Sequence, residues 1–482
     1  MCLTLLICLW SILLPDSFGT AAGNSMRFLT TNFAWLYCLA MTLFVAFCLW
    51  IGLFSKYRNI PLGPDGAKPE YSKSAWFSML FCAGIGVGLV FWGAAEPMNY
   101  FAAPIGGLQS GTGEAMRFAC LCPLFSSLGH SPLGQLFRAG AGTGLYAVPQ
   151  RAAGAHQFRV HPPHWEKRAR GWLGKTVDVL SVFATAAGVA TSLGLGILQF
   201  NTGLHFLTGL PETALLQLFL ILFLAAVYIL TAVVGIEKGM NTVSKLNIRV
   251  SMGVLLLLVV IGPTVPILNN LLEGAGAYLS SLLSMTTEVG AFGDEGWYRT
   301  WTVFYWAWWI AWAPFTCSFI ARISRGRTIG EFIKGVMFLP AGFSVIWFTV
   351  FGTLGMHLDI SVVKEAIKST STALFVVLQQ YPLGTVLCAV MALLIFTFLV
   401  TASNSATYVL GMYSEGGTLQ PSNRSKIIWG ALIAALAAIM MLGTGNGLSM
   451  LQTLSIVAAF PFIFIMLAAM PALVKALKEE KL

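Results

Sequence analysis

Long apolar runs separated by short polar segments set the pattern of this chain. A helix that crosses a bilayer needs about 20 consecutive apolar residues. Runs of that order lie at 32–54, 76–101, 176–200, 212–234, 250–268, 299–320, 335–355, 383–412, 426–443 and 448–475. Residues 1–14 are apolar but too short to span, and they lack the basic start and small-residue cleavage site of a signal peptide. They read as the remainder of a truncated first helix.

The polar segments predict which way the spans run. Lys56, Arg58, Lys68 and Lys73 follow the first run, and excess Lys and Arg mark cytoplasmic loops. The loop with Glu237, Lys238, Lys245 and Arg249 is basic on balance, as is RISRGRTIGEFIK, Arg322 to Lys334. Between them, 269–296 holds Glu273, Glu288, Asp294 and Glu295 with no Lys or Arg, as an external acidic loop should. The tail KALKEEKL ends inside.

One segment resists this reading. FACLCPLFSSLGHSPLGQLF, residues 118–137, would have to cross inward, yet Pro123, His130 and Pro132 interrupt it. The segment after it carries seven Lys or Arg up to Lys175. If 118–137 crosses, those charges lie in the cytoplasm; if not, they face the wrong way.

Composition agrees with a polytopic membrane protein. The 482 residues are 57% hydrophobic and 10% charged, against about 25% charged in soluble domains, and the mean hydropathy is +0.78. The net charge of +9 belongs to loops between spans and does not indicate nucleic acid. Nine cysteines are scattered, mostly inside apolar runs, with no CxxC. They predict small buried side chains, with no disulfide framework and no zinc site.

Aromatic crowding supplies the first candidate chemistry. WTVFYWAWWIAWAPF, Trp301 to Phe315, holds five tryptophans and no charge. At about 100° per residue, Trp301, Tyr305, Trp308, Trp309 and Trp312 fall on one face of a helix. An interfacial belt would explain Trp301, just after the acidic loop. Trp308, Trp309 and Trp312 lie roughly 10–17 Å deeper, near the bilayer midplane. Core packing is one explanation. The other, preferred on depth, is a cage for a quaternary ammonium, which indole faces attract by about 2 kcal/mol or more when desolvated.

FCAGIGVGLVFWGAAEP, Phe81 to Pro97, supplies the second. Gly84, Gly86 and Gly88 each cost a helix about 1 kcal/mol relative to Ala, which predicts local unwinding or very close approach. A small-xxx-small packing face is the plainer alternative. Transporters with inverted repeats bind solute and ions where corresponding helices are broken by Gly or Pro. The span 76–101 and the Pro314-interrupted span 299–320 each begin a run of five candidate helices, if 118–137 is counted. ARGWLGKT, Ala169 to Thr176, lacks the first Gly and the preceding strand of a phosphate loop. Neither HExxH nor GxSxG occurs, so hydrolase chemistry has no visible nucleophile or metal and no enzyme is expected.

GIGVGLVFWGAAEP, VFATAAGVATSLGLGILQFNTGL (182–204), WTVFYWAWWIAWAPF with ARISRGRTIGEF, and FLVTASNSATYVLGM (398–412) together resemble the betaine/carnitine/choline transporter family. The likeness runs from about 28 to 117 and from about 174 to the end. It implies an all-α polytopic membrane protein with LeuT-like inverted five-helix repeats, in a family pattern of 12 helices whose first is truncated here and whose fourth is degenerate. The repeats would be 76–268 and 297–475, after peripheral helices in 1–75 and before a short tail, 476–482. The resemblance further implies a homotrimer in the cytoplasmic (inner) membrane, with its C-terminus in the cytoplasm.

Family roles carry over by position. The cage tryptophans of the eighth helix fall on Trp308, Trp309 and Trp312, and the glycine-rich third helix on Gly84, Gly86 and Gly88. The carbonyls of Cys82 and Ile85 are candidate sodium ligands, with Phe315 and Phe398 in the same ion-binding set. The hydroxyl pair of the tenth helix falls on Thr401 and Ala402, so one hydroxyl is missing, although Ser403 is adjacent. Relatives read Asp where this chain has Asn404. In the fifth helix Thr185 keeps a hydroxyl, while Val189 replaces a Thr of some sodium-coupled members. Sodium wants several oxygen ligands, so sodium, proton and exchange coupling all stay open.

The other cage wall belongs to a fourth helix rich in Trp, His and Tyr, which follows Ala115, Met116 and Arg117. No such set appears in 118–172, which reads as a shifted frame or a divergent loop. The expected function is secondary active transport of a small quaternary-ammonium osmolyte, of glycine betaine, choline or carnitine type, by alternating access. No cofactor is expected beyond a coupling sodium or proton. A non-transporting degenerate member lacking the fourth helix is the alternative.

Overall fold

The computed structural model describes residues 6–7, 9–10, 13–63, 66–84, 86–120, 172–235, 240–418, 420–442 and 447–479. Its long elements are helices: α1 (Pro15–Leu49), α2 (Lys73–Gly84), α3 (Gly86–Ala102), α4 (Trp172–Thr208), α5 (Ala214–Val234), α6 (Asn241–Ile261), α7 (Thr264–Thr287), α8 (Phe304–Ile323), α9 (Ile329–Met356), α10 (Gly384–Ser414), α11 (Asn423–Leu442) and α12 (Gly447–Glu479). Among the described residues, eight helices are long and apolar enough to cross a membrane, or nine with α2 and α3 as one bent span.

The apolar runs outside 118–137 are largely helical, although 250–268 is divided at Gly262 and Pro263 between α6 and α7, and three further adjustments are needed. The first run does not start near 32; α1 extends back to Pro15, whose missing N–H suits a first-turn position. The stretch 269–296, expected as a loop, is helical through Thr287, and α7 exposes most of its surface, burying Ile267, Gly274 and Tyr278. Pro314 does not break its span: α8 runs through it, and the Pro314 carbonyl also accepts the Tyr413 hydroxyl at 2.6 Å. Residues 118–137 are outside the described residues beyond Cys120.

Local signals end the helices where expected. Thr328 caps α9 by accepting the Glu331 N–H at 3.1 Å, the T-x-x-E box. Thr213 caps α5 in the same way through Leu216, and Gly235 at φ +104 stops it.

α4 and α8 form the centre. α4 is buried along most of its length, whereas α5 and α6 leave most of theirs outward. α8 is buried on all sides between Phe304 and Ala321, so the indole face predicted by periodicity is one side of an enclosed helix. α4 packs on α8, α10 and α12, while α3 packs on α9.

Two basic loops are joined on one face. The Leu62 N–H donates to the Arg327 carbonyl, the Gly326 N–H to Leu62, and the Ile329 N–H to Ile60, at 2.7–2.9 Å. Gly326 holds φ +82, and a Cβ there would come within 2.4 Å of the Lys68 carbonyl carbon, a seat only glycine can take. Arg327 lies 4.1 Å over the Trp76 ring and donates to the Tyr71 carbonyl at 2.9 Å. Arg322 grips Glu70 with both guanidinium arms, at 2.6 and 3.2 Å. The motif ARISRGRTIGEF therefore clasps the start of α2 to the end of α8.

Candidate functional site: an indole cluster at a broken helix

α2 and α3 meet at a 60° bend. Three glycines in five residues make a continuous helix costly there: α2 ends at Gly84 and α3 starts at Gly86, with Ile85 outside the described residues. Gly84 closes α2. Gly86 and Gly88 start α3 and admit two aromatic neighbours: a Cβ on Gly86 would sit 3.2 Å from the Phe398 ring, and one on Gly88 would sit 3.7 Å from Cη2 of Trp308. Close approach and a break both occur, and the glycine-rich stretch is pressed against the indole helix.

Trp308, Trp309 and Trp312 are 1%, 6% and 4% exposed. Trp308 and Trp309 are stacked, with centroids 5.5 Å apart and planes at 21°. Trp312 stands edge-on to Trp309 at 6.0 Å and 74°, and Phe315 continues the series at 5.4 Å. Two near-parallel rings and one perpendicular ring give π faces in two directions, the arrangement a tetrahedral cation uses. The Trp308 Nε1–H meets no partner among the described residues. Trp312 is held from behind: its Nε1–H donates to the Gly188 carbonyl at 2.7 Å. Gly188, in α4, leaves the space that ring needs.

Trp301 is half-buried and packs between helices, 4.9 Å from Tyr100 and 5.7 Å from Trp92. It is thus part of an aromatic column of Trp92, Trp301, Tyr305 and Trp308 leading to the cluster. Beside the column lies Glu96, fully buried. Its carboxylate accepts the Tyr100 hydroxyl at 2.6 Å and the Tyr305 hydroxyl at 3.4 Å. Glu96 stands in GAAEP, at the end of the glycine-rich stretch. The signal was available, because an ionisable residue inside an apolar span marks function by default. Gly188 had only the weaker signal of one glycine among many small residues.

The candidate ion ligands are spread over several helices, from α2 to α10. The Thr185 hydroxyl, one turn from Gly188 on α4, is fully buried and has no partner among the described residues. Phe315 follows Pro314 on α8, against Trp312. On the other side of α3, Phe398 packs on Gly86, and Thr401 bonds back to the Thr397 and Phe398 carbonyls at 3.2 and 2.9 Å. Ala402 is buried and brings no oxygen. Asn404 donates to the Thr231 hydroxyl at 2.9 Å, and Val189 is buried and apolar. Cys82 turns its thiol to the Ser244 carbonyl at 3.6 Å. Among the described residues no three His, Cys, Asp or Glu side chains gather as metal ligands.

A helical membrane protein that buries a broken, glycine-rich helix against a bank of indoles has the build of a solute transporter. The chain belongs to the betaine/carnitine/choline family of transporters, whose family model matches residues 1–482. The match includes 118–172, beyond the two stretches of likeness seen by motif. A glycine betaine transporter of Bacillus subtilis, OpuD, is 37% identical over 98% of this chain and 92% of its own length. An ectoine/hydroxyectoine transporter of Virgibacillus pantothenticus is 37% identical over 97% and 93%. The high-affinity choline transport protein of Escherichia coli K12 is 33% identical over 99% and 71%.

Proposed function

We propose that this protein carries a small quaternary-ammonium osmolyte across the membrane by alternating access, and that Trp308, Trp309 and Trp312 hold the ammonium. The observation that carries the reading is the packing of these three buried rings, two stacked and one perpendicular, against the glycine-rich break. A trimethylammonium group has no N–H to donate, so hydrogen-bond acceptors recognise it poorly and π faces recognise it well. Backbone groups released at the break between α2 and α3 then suit the solute's other end. Relatives named for glycine betaine, choline and ectoine support an osmolyte whose positive charge is delocalised or shielded.

Thr185 with Phe315, and Cys82, Ile85, Phe398 and Thr401 at the break, are proposed for a coupling cation, sodium or proton. The proposed setting is a homotrimer in the inner membrane, with two inverted repeats, 76–268 and 297–475, and with the basic face and C-terminus in the cytoplasm. Uptake of labelled glycine betaine, choline, carnitine and ectoine into proteoliposomes, with and without a sodium gradient, tests it. Accumulation of a trimethylammonium solute that Trp309→Leu abolishes is the expected result. No accumulation of any of them by folded protein would sink it.

A further inference from the structure

Pro314 leaves a soft turn in the helix that carries the indoles. Proline has no N–H, so the Ile310 carbonyl loses the donor that an α-helix would give it. Even so, α8 continues to Ile323. The turn after the proline is held from outside instead. The Tyr413 hydroxyl, near the end of α10, donates to the Pro314 carbonyl at 2.6 Å and lies 2.6 Å from the hydroxyl of Ser318, which is fully buried. A tyrosine hydroxyl has one proton to give, so with that proton on Pro314 the Ser318 hydroxyl donates to Tyr413. One side chain of α10 thus bridges both ends of a single turn of α8.

The turn before the proline is fixed to a different helix. Trp312 donates to the Gly188 carbonyl at 2.7 Å. A Cβ on Gly188 would also lie 3.4 Å from the Ala311 carbonyl carbon, so α8 touches the α4 backbone there. α4 and α10 are themselves interlocked: a Cβ on Gly196 would come within 2.4 Å of the Leu399 side chain, and the Phe200 and Phe396 rings are 5.5 Å apart. These two helices therefore form one frame with two anchors on α8, one on each side of Pro314. Phe315 lies between the anchors, its ring 5.4 Å from Trp312, and passes any swing of the lower turn to the indoles.

We propose that Tyr413 is a positioning residue of the solute site. Its hydroxyl holds the turn after Pro314 to α10, and through Phe315 and Trp312 it keeps the indole face in the setting that receives the ammonium. This rests on the transport reading. Packing would need only the ring of Tyr413. Positioning needs the hydroxyl, and needs it because residue 314 is a proline.

The test uses the purified full-length protein. Tyr413→Phe keeps the ring and removes the hydroxyl. It is expected to weaken glycine betaine binding, read from tryptophan fluorescence, about fivefold, the scale of one hydrogen bond. The KM of uptake should rise equally, with kcat within about twofold. Pro314→Ala returns a donor to the Ile310 carbonyl, and in that background Tyr413→Phe is expected to change binding by less than about twofold. An equal loss in both backgrounds, or no loss in either, would overturn the proposal. Hydrogen–deuterium exchange of residues 312–320 reports local opening and needs no solute. Tyr413→Phe is expected to speed it about fivefold or more, and unchanged exchange in protein that binds solute overturns the positioning role alone. Faster exchange in Tyr413→Phe, with no trimethylammonium solute bound by wild type, would sink the transport reading and leave the anchor standing.

Discussion

Trp312 and Gly188 are made for each other. The indole N–H donates to the Gly188 carbonyl at 2.7 Å, and a Cβ on Gly188 would come within 2.5 Å of Cδ1 of the same ring. The missing side chain on α4 is what allows a tryptophan on α8 to lie flat against that backbone. One contact thereby sets the orientation of the perpendicular ring in the cluster.

Gly188→Ala is therefore expected to tilt Trp312 and break its hydrogen bond without unfolding the protein. An overpacked contact costs roughly 1–3 kcal/mol, so solute affinity should fall about tenfold or more. Titration of intrinsic tryptophan fluorescence with glycine betaine measures it. Unchanged affinity would mean that Trp312 does not orient solute.

Cation–π recognition separates charge from shape. 3,3-Dimethylbutanoate has the outline of glycine betaine with carbon in place of the charged nitrogen. If indole faces supply about 2 kcal/mol, the analogue with the uncharged tert-butyl head should compete for uptake about 30-fold more weakly. Trp309→Phe, which keeps a π face, should keep both uptake and most of the discrimination. Equal competition by the two molecules would refute the cage.

Glu96 serves as the acceptor for two tyrosines inside the membrane. Replacing it with Ala removes the acceptor from the Tyr100 and Tyr305 hydroxyls and leaves a hole beside Trp92. A buried group deprived of its partner costs roughly 1–3 kcal/mol, so the melting temperature in detergent should drop for Glu96→Ala and much less for Glu96→Gln. Equal drops would show that the charge, not the hydrogen-bond geometry, matters.

The clasp on the basic face has a pH signature. Burial alone would raise the Glu70 carboxyl, but the hydrogen bond and charge of Arg322 outweigh it and hold it below its ordinary 4.5. A depressed carboxylate stabilises the folded state fully above its unfolded value. That contribution is lost as pH falls through the lowered one. Glu70→Gln should flatten the loss of thermal stability below about pH 4.5 relative to wild type. At pH 7 the change should be modest, about 1 kcal/mol or less, because the pair is partly exposed.

Much of this was legible in the residues. Apolar runs of spanning length must bury their backbone polar groups in helices, since a bilayer offers them no water. Ten helices follow from that alone. Triple glycine announced local unwinding or close approach between α2 and α3, and midspan tryptophans announced the cluster. Basic segments predicted that the loops around Arg58 and Arg327 share a face, and the 60–62 to 326–329 hydrogen bonds join them. Helix in 269–287 was missed because the segment reads as one external loop with Glu288, Asp294 and Glu295 beyond it, and Pro314 was over-read because a helix tolerates a proline when its surroundings re-satisfy the backbone.

What the chain determined by itself was its class, its helices and the indoles that define its centre, because hydrophobic length and aromatic depth are properties of one helix at a time. Only the tertiary structure decided which residues face those indoles. Gly188 behind Trp312, Gly88 under Trp308 and the Tyr305 hydroxyl on Glu96 are all contacts across helices far apart in sequence. Their register depends on how side chains interlock when the helices pack, and no pattern along a single helix records that.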